Sequence, residues 1–575
     1  MLRFSASTML ILMLASAASG SMVVVDVDGA GNFTKIQDAI NASETGDEIV
    51  VQSGTYAENV VVDRSVSLKG EGDPVVNGSG LSSPLIKITA DGVVLEGFTI
   101  TGCIDTSLDS GAVLVASDGC KILNNTISSS SGFGLHLLSS ENDLISGNIV
   151  HDNGYCGICL SGSNFSQLLG NVVFGNRKCG ITLSGCVYDA LTSNSLYENG
   201  EVGINMINTT TSEIDSNEIR LNGEDGIFLM DSTTNALMDN EIRENGLNGI
   251  NLYQSSSNFV IGNQVQGSGE EGILVIKSSN DNLIANNRIS ENGIDGVGVY
   301  GSYFSTLINN EASLNGNNGF SLRDDSGVIL VTDNEVYGNV RYGFYIEESN
   351  SNFIKANRVH DNLNGIVMVR CGNNSIIFNE ICHNYFGLSL EYVDTVVLSE
   401  NEIHNNTNDG VQMKRCDESR IWVNDIRDNG KDGIHVLESV HSAIFGNYIQ
   451  NNSDYGVQLI DGATLNALMY NVVRQNGGGG FYVSDGAMNL ITGNMISDNQ
   501  KFNVRDNTGE NKWLGNFYGD YVGVDQNGDD FGDEPYVVFG RRGMTSFDPK
   551  PFVSAARLEE IRPYQARERI WMSIR

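Results

Sequence analysis

Proline and basic residues are scarce in this sequence, and each scarcity excludes a class of protein. The chain has 575 residues, of which 6 are Pro and 66 are Gly. So few prolines exclude a proline-rich disordered chain and a collagen, whereas the glycines suit many tight turns. The 34 Lys and Arg residues are outnumbered by 71 Asp and Glu residues, and the formal net charge is −37. Such a chain would repel a nucleic acid backbone, so we expect no nucleic acid partner.

Long apolar runs are scarce as well. Residues 9–15 form one short run, which follows Arg3 and precedes several small residues. This order is typical of a signal peptide, here predicted over residues 1–20. Seven apolar residues are too few to cross a bilayer, and no later segment of the sequence is apolar enough to do so. We therefore expect an exported protein, extracellular or at the cell surface, without a membrane span.

The most abundant feature of the sequence is a repeat of 22 to 24 residues, marked by an Asn in front of a polar-apolar pair. The anchor asparagines are Asn125, Asn148, Asn171, Asn194, Asn217, Asn240, Asn263, Asn287, Asn310, Asn334, Asn357, Asn379, Asn401, Asn424, Asn447, Asn471 and Asn494. From Asn148 onward, the residue three positions before each anchor is Val, Leu or Ile. Apolar residues alternate with period two in short pieces, which predicts strands. The longer repeat predicts that each strand pairs with its equivalent in the next coil, about 4.8 Å away.

These patterns predict an all-β fold, a right-handed single-stranded parallel β-helix with three short strands in each coil of about 23 residues. The anchor amides are predicted to form an internal ladder, and residues 34–40 a capping helix. Asn-Gly pairs are predicted to be turn residues that suit a positive φ, namely Asn153, Asn199, Asn222, Asn245, Asn292, Asn315 and Asn429. The predicted regions are 1–20 signal peptide, 21–124 N-terminal cap and early irregular coils, 125–499 regular repeats, 500–552 acidic and aromatic C-terminal cap, and 553–575 basic tail.

The repeat resembles the pectin-lyase-like group of right-handed β-helices. Within it, the chain is similar to NosD-type and carbohydrate-binding (CASH-like) repeats of archaeal cell-surface and sheath proteins. This resemblance implies the β-helix and an envelope setting, and NosD itself implies copper-site maturation. Residues 28–33 and 54–56 resemble the start of pectin methylesterases, but the Gln-Asp pattern that follows there is missing. The Asp-Pro-His motif of alginate epimerases and the Asn-Thr-Asp and Gly-His-Gly motifs of polygalacturonases are missing too.

One row of side chains predicts a soft-metal site. His360, Cys382 and His404 each stand three residues after an anchor Asn on three consecutive coils. Successive Cβ atoms in such a row are about 4.8 Å apart, so two imidazoles and a thiolate can converge on copper or another soft metal. The alternative is a row of ordinary solvated residues, because Arg and Tyr occupy the same position in other coils.

A second row predicts a glycan-binding face. Exposed aromatic and charged side chains suit sugar stacking and hydroxyl bonding, and the candidates are Tyr253, Tyr300, Arg323, Tyr345 and His435. The same face carries Glu347, Glu391 and Lys414, which are the catalytic candidates if the chain is a polysaccharide lyase, hydrolase or epimerase. Isolated surface tyrosines are also common, so a plain solvated face is the alternative.

Cysteines and an acidic loop supply two further predictions. Cys156 and Cys179 occupy the same position on adjacent coils, within reach of a disulfide. The loop at residues 525–533 alternates oxygen ligands with glycines, which suits calcium bound by Asp525, Asn527, Asp529 and Asp533. Calcium is therefore the expected cofactor. Nine cysteines leave at least one unpaired, so self-association through a spare thiol or through lateral packing of rods is also expected.

Three functions fit these features. The first is a non-enzymatic envelope, sheath, surface-layer or matrix protein that binds polysaccharide or other envelope components. The second is a polysaccharide lyase, hydrolase or epimerase. The third is a NosD-like protein of copper-site maturation. We favour the first, because the motifs of the known catalytic sets are missing while export and rigid repetition are present.

Overall fold

The computed structural model describes residues 20–81, 84–104 and 111–556. The predicted signal peptide, except its last residue, and the predicted basic tail beyond residue 556 lie outside the described residues. The chain divides into two compact units, Met1–Ile181 and Thr182–Arg575. Each unit is a right-handed parallel β-helix with three sheets, so the predicted fold is confirmed. We call the strand before an anchor Asn a sheet A strand, the strand after it a sheet B strand, and the strand after the next glycine turn a sheet C strand.

The first unit begins with strand Met22–Val25, and its one α-helix among the described residues is Ile36–Ala42, close to the predicted capping helix. Its sheet A strands are Met22–Val25, Glu48–Gln52, Ser67–Glu71, Val94–Glu96, Lys121–Leu123, Leu144–Ser146 and Gln167–Leu169. Its sheet B strands are Thr55–Tyr56, Val75–Asn77, Thr99–Thr101, Thr126–Ser128, Ile149–His151 and Val172–Phe174. Its sheet C strands are Val60–Val62, Ile86–Ile88, Gly111–Val115, Phe133–Leu138 and Ile158–Ser161, and strand Ile181–Ser184 starts at the last residue of this unit.

The second unit repeats the same coil. Its sheet A strands are Ala190–Thr192, Glu213–Asp215, Ala236–Met238, Phe259–Ile261, Leu283–Ala285, Thr306–Ile308, Leu330–Thr332, Phe353–Lys355, Ser375–Ile377, Val397–Ser399, Arg420–Trp422, Ala443–Phe445, Ala467–Met469, Leu490–Thr492 and Lys512–Leu514. Its sheet B strands are Ser195–Tyr197, Glu218–Arg220, Glu241–Arg243, Gln264–Gln266, Arg288–Ser290, Glu311–Ser313, Glu335–Tyr337, Arg358–His360, Glu380–Cys382, Glu402–His404, Asp425–Arg427, Tyr448–Gln450, Val472–Arg474, Met495–Ser497 and Phe517–Tyr518. Its sheet C strands are Ile204–Ile207, Ile227–Met230, Ile250–Tyr253, Ile273–Ile276, Val297–Tyr300, Phe320–Arg323, Tyr342–Glu347, Asn364–Val369, Phe386–Glu391, Val411–Lys414, Ile434–Leu437, Tyr455–Ile460, Gly479–Val483 and Val504–Asp506.

The core of the second unit consists of aliphatic rows that run from coil to coil. Leu237 pairs with Val260, and Val260 pairs with Ile284, and all three side chains are fully buried. The residues on either side of each point outward, as period-two alternation requires. Each coil therefore buries its apolar residues against its neighbours, because a single coil has too little core of its own.

The anchor asparagines form the predicted ladder. In the second unit, Nδ2 of Asn217 donates to Oδ1 of Asn240 over 3.0 Å, and Nδ2 of Asn240 donates to Oδ1 of Asn263 over 3.0 Å. Nδ2 of Asn240 also donates to the carbonyl of Ile214, over 2.8 Å. The ladder thus satisfies buried backbone groups at the bend as well as the amides themselves.

The prediction that the asparagines of the Asn-Gly pairs adopt a positive φ is wrong. Among those asparagines, Nδ2 of Asn222 donates to Oδ1 of Asn245 over 3.0 Å, so they form a second buried ladder. The positive φ lies one residue earlier, at Leu221 and Glu244, for example. The side-chain amide is needed inside the coil, and the preceding residue therefore makes the turn.

The C-terminal end of the second unit terminates the ladder with a carboxylate. The anchor row continues to Asn516, which accepts a hydrogen bond from Nδ2 of Asn494 over 2.9 Å. Asp548, on the hairpin Tyr536–Phe539 and Thr545–Asp548, is fully buried and accepts from the backbone N–H of Asn516 over 2.9 Å. Its carboxylate thus takes the place that the amide oxygen of a further coil would fill, and it covers an otherwise open edge. A short 3-10 turn, Arg541–Gly543, joins the two strands of the hairpin.

We predict that Asn240→Ala destabilises the second unit by about 2–4 kcal/mol, because buried partners above and below lose their hydrogen bonds. The measurement is the melting temperature by circular dichroism, together with hydrogen exchange of residues 214–263. Glu213→Ala is the control, because Glu213 is exposed on sheet A of the same unit. Equal melting and equal exchange protection in Asn240→Ala and the wild type would contradict the proposed role of the ladder.

Candidate functional site

The predicted metal row lies on sheet B of the second unit. Strands Arg358–His360, Glu380–Cys382 and Glu402–His404 pair in parallel, with His360 opposite Cys382 and Cys382 opposite His404. The structure therefore brings the three predicted side chains onto one line, as their equal spacing from the anchors requires.

His360 turns away from the other two side chains. Its ring stacks on Tyr337 with 5.1 Å between centroids, and its Nδ1 lies 2.6 Å from a carboxylate oxygen of Asp361. Glu380 stands in its place, with Oε1 at 3.9 Å from Sγ of Cys382 and 3.5 Å from Nε2 of His404. Ligand atoms of Glu380, Cys382 and His404 all lie within 4.8 Å of one another, a spacing that one metal ion could bridge.

Burial sets the protonation of this group. Burial raises the pKa of the Cys382 thiol to about 11, with Glu380 adding to the effect. Burial also lowers the pKa of His404, and the nearby Arg427 lowers it further. At neutral pH the thiol is therefore protonated and the imidazole is neutral. A metal must displace the thiol proton to bind here, whereas the imidazole is already in its ligand form.

The predicted glycan face lies on sheet C of the second unit, and its centre is a fixed aromatic-cation pair. Tyr300 and Arg323 face each other on adjacent strands, and the guanidinium carbon lies 4.5 Å from the centre of the Tyr300 ring. The Tyr300 hydroxyl oxygen lies 3.1 Å from a carboxylate oxygen of Glu271 and 3.0 Å from one of Asp295, so its single proton bonds to either carboxylate. Arg323 also forms an ion pair with Asp295, over 3.2 Å. Neither side chain is free to rotate away, because both are held by carboxylates.

Tyr345 extends this pair, and Tyr253 stands apart from it. The Tyr345 ring lies 5.9 Å from the Arg323 guanidinium, and its hydroxyl donates to Glu347 over 2.9 Å. Tyr253 pairs with Ile276, which separates it from Tyr300 by one coil. We use the name sheet C patch for Tyr300, Arg323, Tyr342 and Tyr345, since the Tyr342 ring lies 5.6 Å from that of Tyr345.

The three catalytic candidates share sheet C but are separated and ion-paired. Glu347 and Glu391 both pair with Val369 from opposite sides, so they lie two coils or roughly 9.6 Å apart. Glu347 contacts Arg370, and Glu391 forms an ion pair of 2.8 Å with Lys414. This separation between strands exceeds the about 5–5.5 Å between the carboxyl groups of retaining glycosidases and lies at the upper end of the about 6.5–9.5 Å of inverting ones.

His435 belongs to a different cluster from the tyrosines. Its Nδ1 lies 3.1 Å from Oδ2 of Asp409 and 3.7 Å from Oδ2 of Asp432. Burial, together with the neighbouring Asp409, raises the pKa of Asp432 to about 7. The sequence interpretation missed both aspartates. They could have been found from their position in the repeat, because each directly precedes the glycine before a sheet C strand.

The predicted calcium loop is exposed and closes on its own backbone. The Asp525 carboxylate accepts from the N–H groups of Gly528 over 2.6 Å and Asp530 over 2.9 Å. The Asp533 carboxylate accepts from the N–H of Gln526 over 2.8 Å. Asn527 and Asp529 accept from the N–H groups two residues further on, over 2.9 Å and 3.1 Å. The calcium site stays a prediction.

Cys156 and Cys179 lie in the first unit at equivalent positions before a glycine. Both are buried, and the N–H of Gly157, which follows Cys156, donates to the carbonyl of Cys179 over 3.0 Å. This contact places the two residues on neighbouring coils. Their disulfide also stays a prediction.

The sequence of this chain is similar to known protein families. Residues 40–223 and 331–523, more than half of the chain, match the family described as periplasmic copper-binding protein (NosD). Residues 188–289 and 259–387 match the right handed beta helix region. A cell surface glycoprotein of Methanothermus fervidus is 35% identical over 124 residues, which make up 21% of this chain and 20% of that protein. The match thus spans a fifth of that relative.

Solved structures with a similar solenoid are more distant. The mannuronan C-5 epimerase AlgE4 A-module of Azotobacter vinelandii is 18% identical, with a TM-score of 0.39 over 54% of this chain and 91% of that chain. The Dettilon tailspike protein is 17% identical, with a TM-score of 0.34 over 62% of this chain and 66% of that chain. Similarity of this extent assigns no activity to the chain. Within the part of the chain that the structure describes, no helix has the length and hydropathy to cross a membrane.

We predict that calcium stabilises the loop at residues 525–533, because a cation would offset the repulsion of its four aspartates. Millimolar calcium should protect this segment from limited proteolysis, and EDTA should remove the protection. Asp525→Asn should abolish the calcium effect, whereas Asp498→Asn, outside the loop, should preserve it. Proteolysis that is unchanged by calcium and EDTA would show that the loop is a plain turn.

Proposed function

We propose a function for this chain from one premise, that it belongs to the NosD family of right-handed β-helix proteins. The proposed function is that of an exported protein of the cell surface or envelope, which binds polysaccharide along sheet C without cleaving it. The cell surface glycoprotein relative and the family's periplasmic description support this location. The matched segment covers only a fifth of that relative, so the location is part of the proposal.

The sheet C patch is the observation that carries the proposal. Its aromatic rings suit stacking on the apolar face of a sugar, and the Arg323 guanidinium supplies hydrogen-bond donors beside them. The Tyr300 ring is fixed by Glu271 and Asp295, so little conformational entropy would be lost when a sugar binds. The mixture of rings and fixed charges is therefore already arranged for a ligand.

Neighbouring charged side chains favour an extended polysaccharide over a single sugar. Arg370 and Lys414 lie on the same side of the second unit as Arg323, further along sheet C. These cations occupy every second coil, roughly 9.6 Å apart, and Glu347 and Glu391 lie on the coils between them. The hydroxyl groups of an extended polysaccharide would meet several of these charged side chains at once, and multivalent contact would strengthen its binding.

We predict that Tyr345→Ala and Arg323→Ala each weaken binding of a polysaccharide at least about fivefold, because each removes a stacking or charged contact worth about 1 kcal/mol. The measurement is a glycan array followed by titration calorimetry with the best ligand. Tyr448→Ala is the control, since Tyr448 is exposed on sheet B of the same unit.

Two outcomes would contradict this proposal. Equal losses of affinity in the control and in the patch variants would separate binding from the sheet C patch. Release of reducing or unsaturated ends by the wild type, lost in Glu347→Gln or Glu391→Gln, would favour the lyase, hydrolase or epimerase interpretation. The same assay with acidic and neutral polysaccharides tests both outcomes.

Copper binding is a second candidate function, favoured by the convergence of Glu380, Cys382 and His404. A thiolate and an imidazole are ligands that suit Cu(I), and the group lies in a stretch that matches the copper-binding family. The neighbouring Arg358 pairs with Glu380 over 3.2 Å and would have to release it, at least in part, to a bound ion.

We predict that Cu(I) binds to this group more tightly as the pH rises from 6 to 8, because the thiol with its raised pKa must lose a proton to bind. Cys382→Ser should remove this copper equivalent, whereas Cys416→Ser, a buried thiol outside the group, should retain it. Competition with a chromophoric Cu(I) chelator measures the affinity. Affinity that is independent of pH, or unchanged in Cys382→Ser, would refute the site.

A further inference from the structure

The cluster around His435 is built from one recurring position of the coil. Asp409 and Asp432 each precede the glycine that opens a sheet C strand, and His435 is the second residue of strand Ile434–Leu437. Other coils of the second unit fill the aspartate position with Asn248 or Asn318. The position of His435 is occupied by Gln412 and Gln458 on the adjoining strands. Only local changes of residue type therefore distinguish this cluster from its neighbours.

Backbone hydrogen bonds hold one oxygen of each carboxylate, and the other oxygen of Asp409 is within hydrogen-bond distance of His435. The N–H of Asp432 donates to Oδ1 of Asp409 over 3.0 Å, and the N–H of Tyr455 donates to Oδ1 of Asp432 over 2.8 Å. The remaining Oδ2 atoms lie 3.1 and 3.7 Å from Nδ1 of His435. Three donor atoms within 4.8 Å of one another thus converge at this point. Tetrahedral ligands about 2.0–2.2 Å from one metal ion lie about 3.3–3.6 Å apart, close to the 3.1 and 3.7 Å between Nδ1 and the two carboxylate oxygens.

The two carboxyl groups of the cluster are buried side by side. The Asp409 and Asp432 side chains are 3% and 5% exposed, and His435 contacts both of them. Two carboxylates that share a buried place repel each other and lose their hydration, which is costly. A bound divalent cation would offset this cost.

Two polar atoms in this segment are buried without a hydrogen-bond partner among the described residues. They are Nε2 of His435 and Oδ1 of Asn408, the residue directly before Asp409. Buried polar atoms are normally paired, and those left over point to a ligand or an ion. This observation is independent of the convergence of the three ligand atoms.

We propose that Asp409, Asp432 and His435 form a binding site for a borderline divalent cation such as Zn²⁺. Two carboxylate oxygens and one imidazole nitrogen include no thiolate, so the site differs in kind from the soft group at Cys382. They also differ from an all-oxygen set, which would suit calcium or magnesium. Three protein ligands leave a coordination position for water or a ligand atom, as in catalytic zinc sites.

The test uses the full chain with Cys382→Ser, so that the soft group does not contribute to binding. The protein is stripped with EDTA, desalted and titrated with ZnCl₂ by calorimetry, and bound zinc is counted by mass spectrometry after gel filtration. We expect about one zinc per chain to depend on the cluster. Asp409→Asn, Asp432→Asn and His435→Gln should each weaken that equivalent at least about tenfold, since even outer-shell changes cost that much.

These variants introduce residue types that the chain itself has at the same coil positions, so the coil should still form. Circular dichroism checks this. Asp225→Asn is the matched control, because Asp225 is a buried aspartate of the same row that binds Asn248 and has no histidine beside it. It should keep wild-type zinc binding. Zinc binding that is absent in the parent protein, or equal in the parent and all three cluster variants, would overturn the proposal.

Discussion

The stacking of one coil on the next through side-chain amides is the constraint on which the rest of this structure depends. Each anchor Asn is buried, and its amide bonds to the equivalent Asn and to the backbone of a neighbouring coil. Such bonds need both partners, because an unpaired buried amide would cost more than a made bond contributes. The ladder therefore fixes the register of the coils that carry an anchor Asn, and their aliphatic rows then follow from the same register.

The fixed register of the coils determines which side chains can come together to form a functional site. Residues at equal phase become neighbours about 4.8 Å apart even when 22 to 24 residues separate them in sequence. A functional group can therefore be assembled by changing residue types at one coil position over two or three coils, with no change of backbone. The Tyr300–Arg323 pair, the Cys382–His404 pair and the Asp409–Asp432 pair are all of this kind. Because a site can arise without a change of backbone, related solenoids can share a fold without sharing a functional site.

The sequence predicts this fold well because the same residue pattern recurs in many consecutive coils. It predicts the Cys382–His404 contact for the same reason, since phase alone decides that neighbourhood. The sequence does not predict contacts that depend on a side-chain rotamer, or a turn whose residues are also needed in the buried ladder. His360 stands at the same coil position as Cys382 and His404, but its ring stacks on Tyr337. The sequence pattern does not indicate this rotamer. The Asn-Gly pairs have a strong local turn preference. However, the side chain of Asn222 is buried in the second ladder, and the positive φ of the turn lies at Leu221. Asp409 and Asp432 could be found from phase, but acidic residues are so frequent here that the pair does not stand out until its burial is known.

We propose that ligands meet this protein on the outer face of sheet C, where the ladder has aligned the rings and charges. Hydroxyl-radical footprinting of the purified chain, with and without the polysaccharide that it binds best, is the decisive measurement. We expect protection to be concentrated on Tyr300, Tyr342 and Tyr345, while exposed rings of sheets A and B, such as Phe353 and Tyr448, stay equally reactive. Protection of sheet A or sheet B rings, with the three tyrosines unchanged, would contradict it.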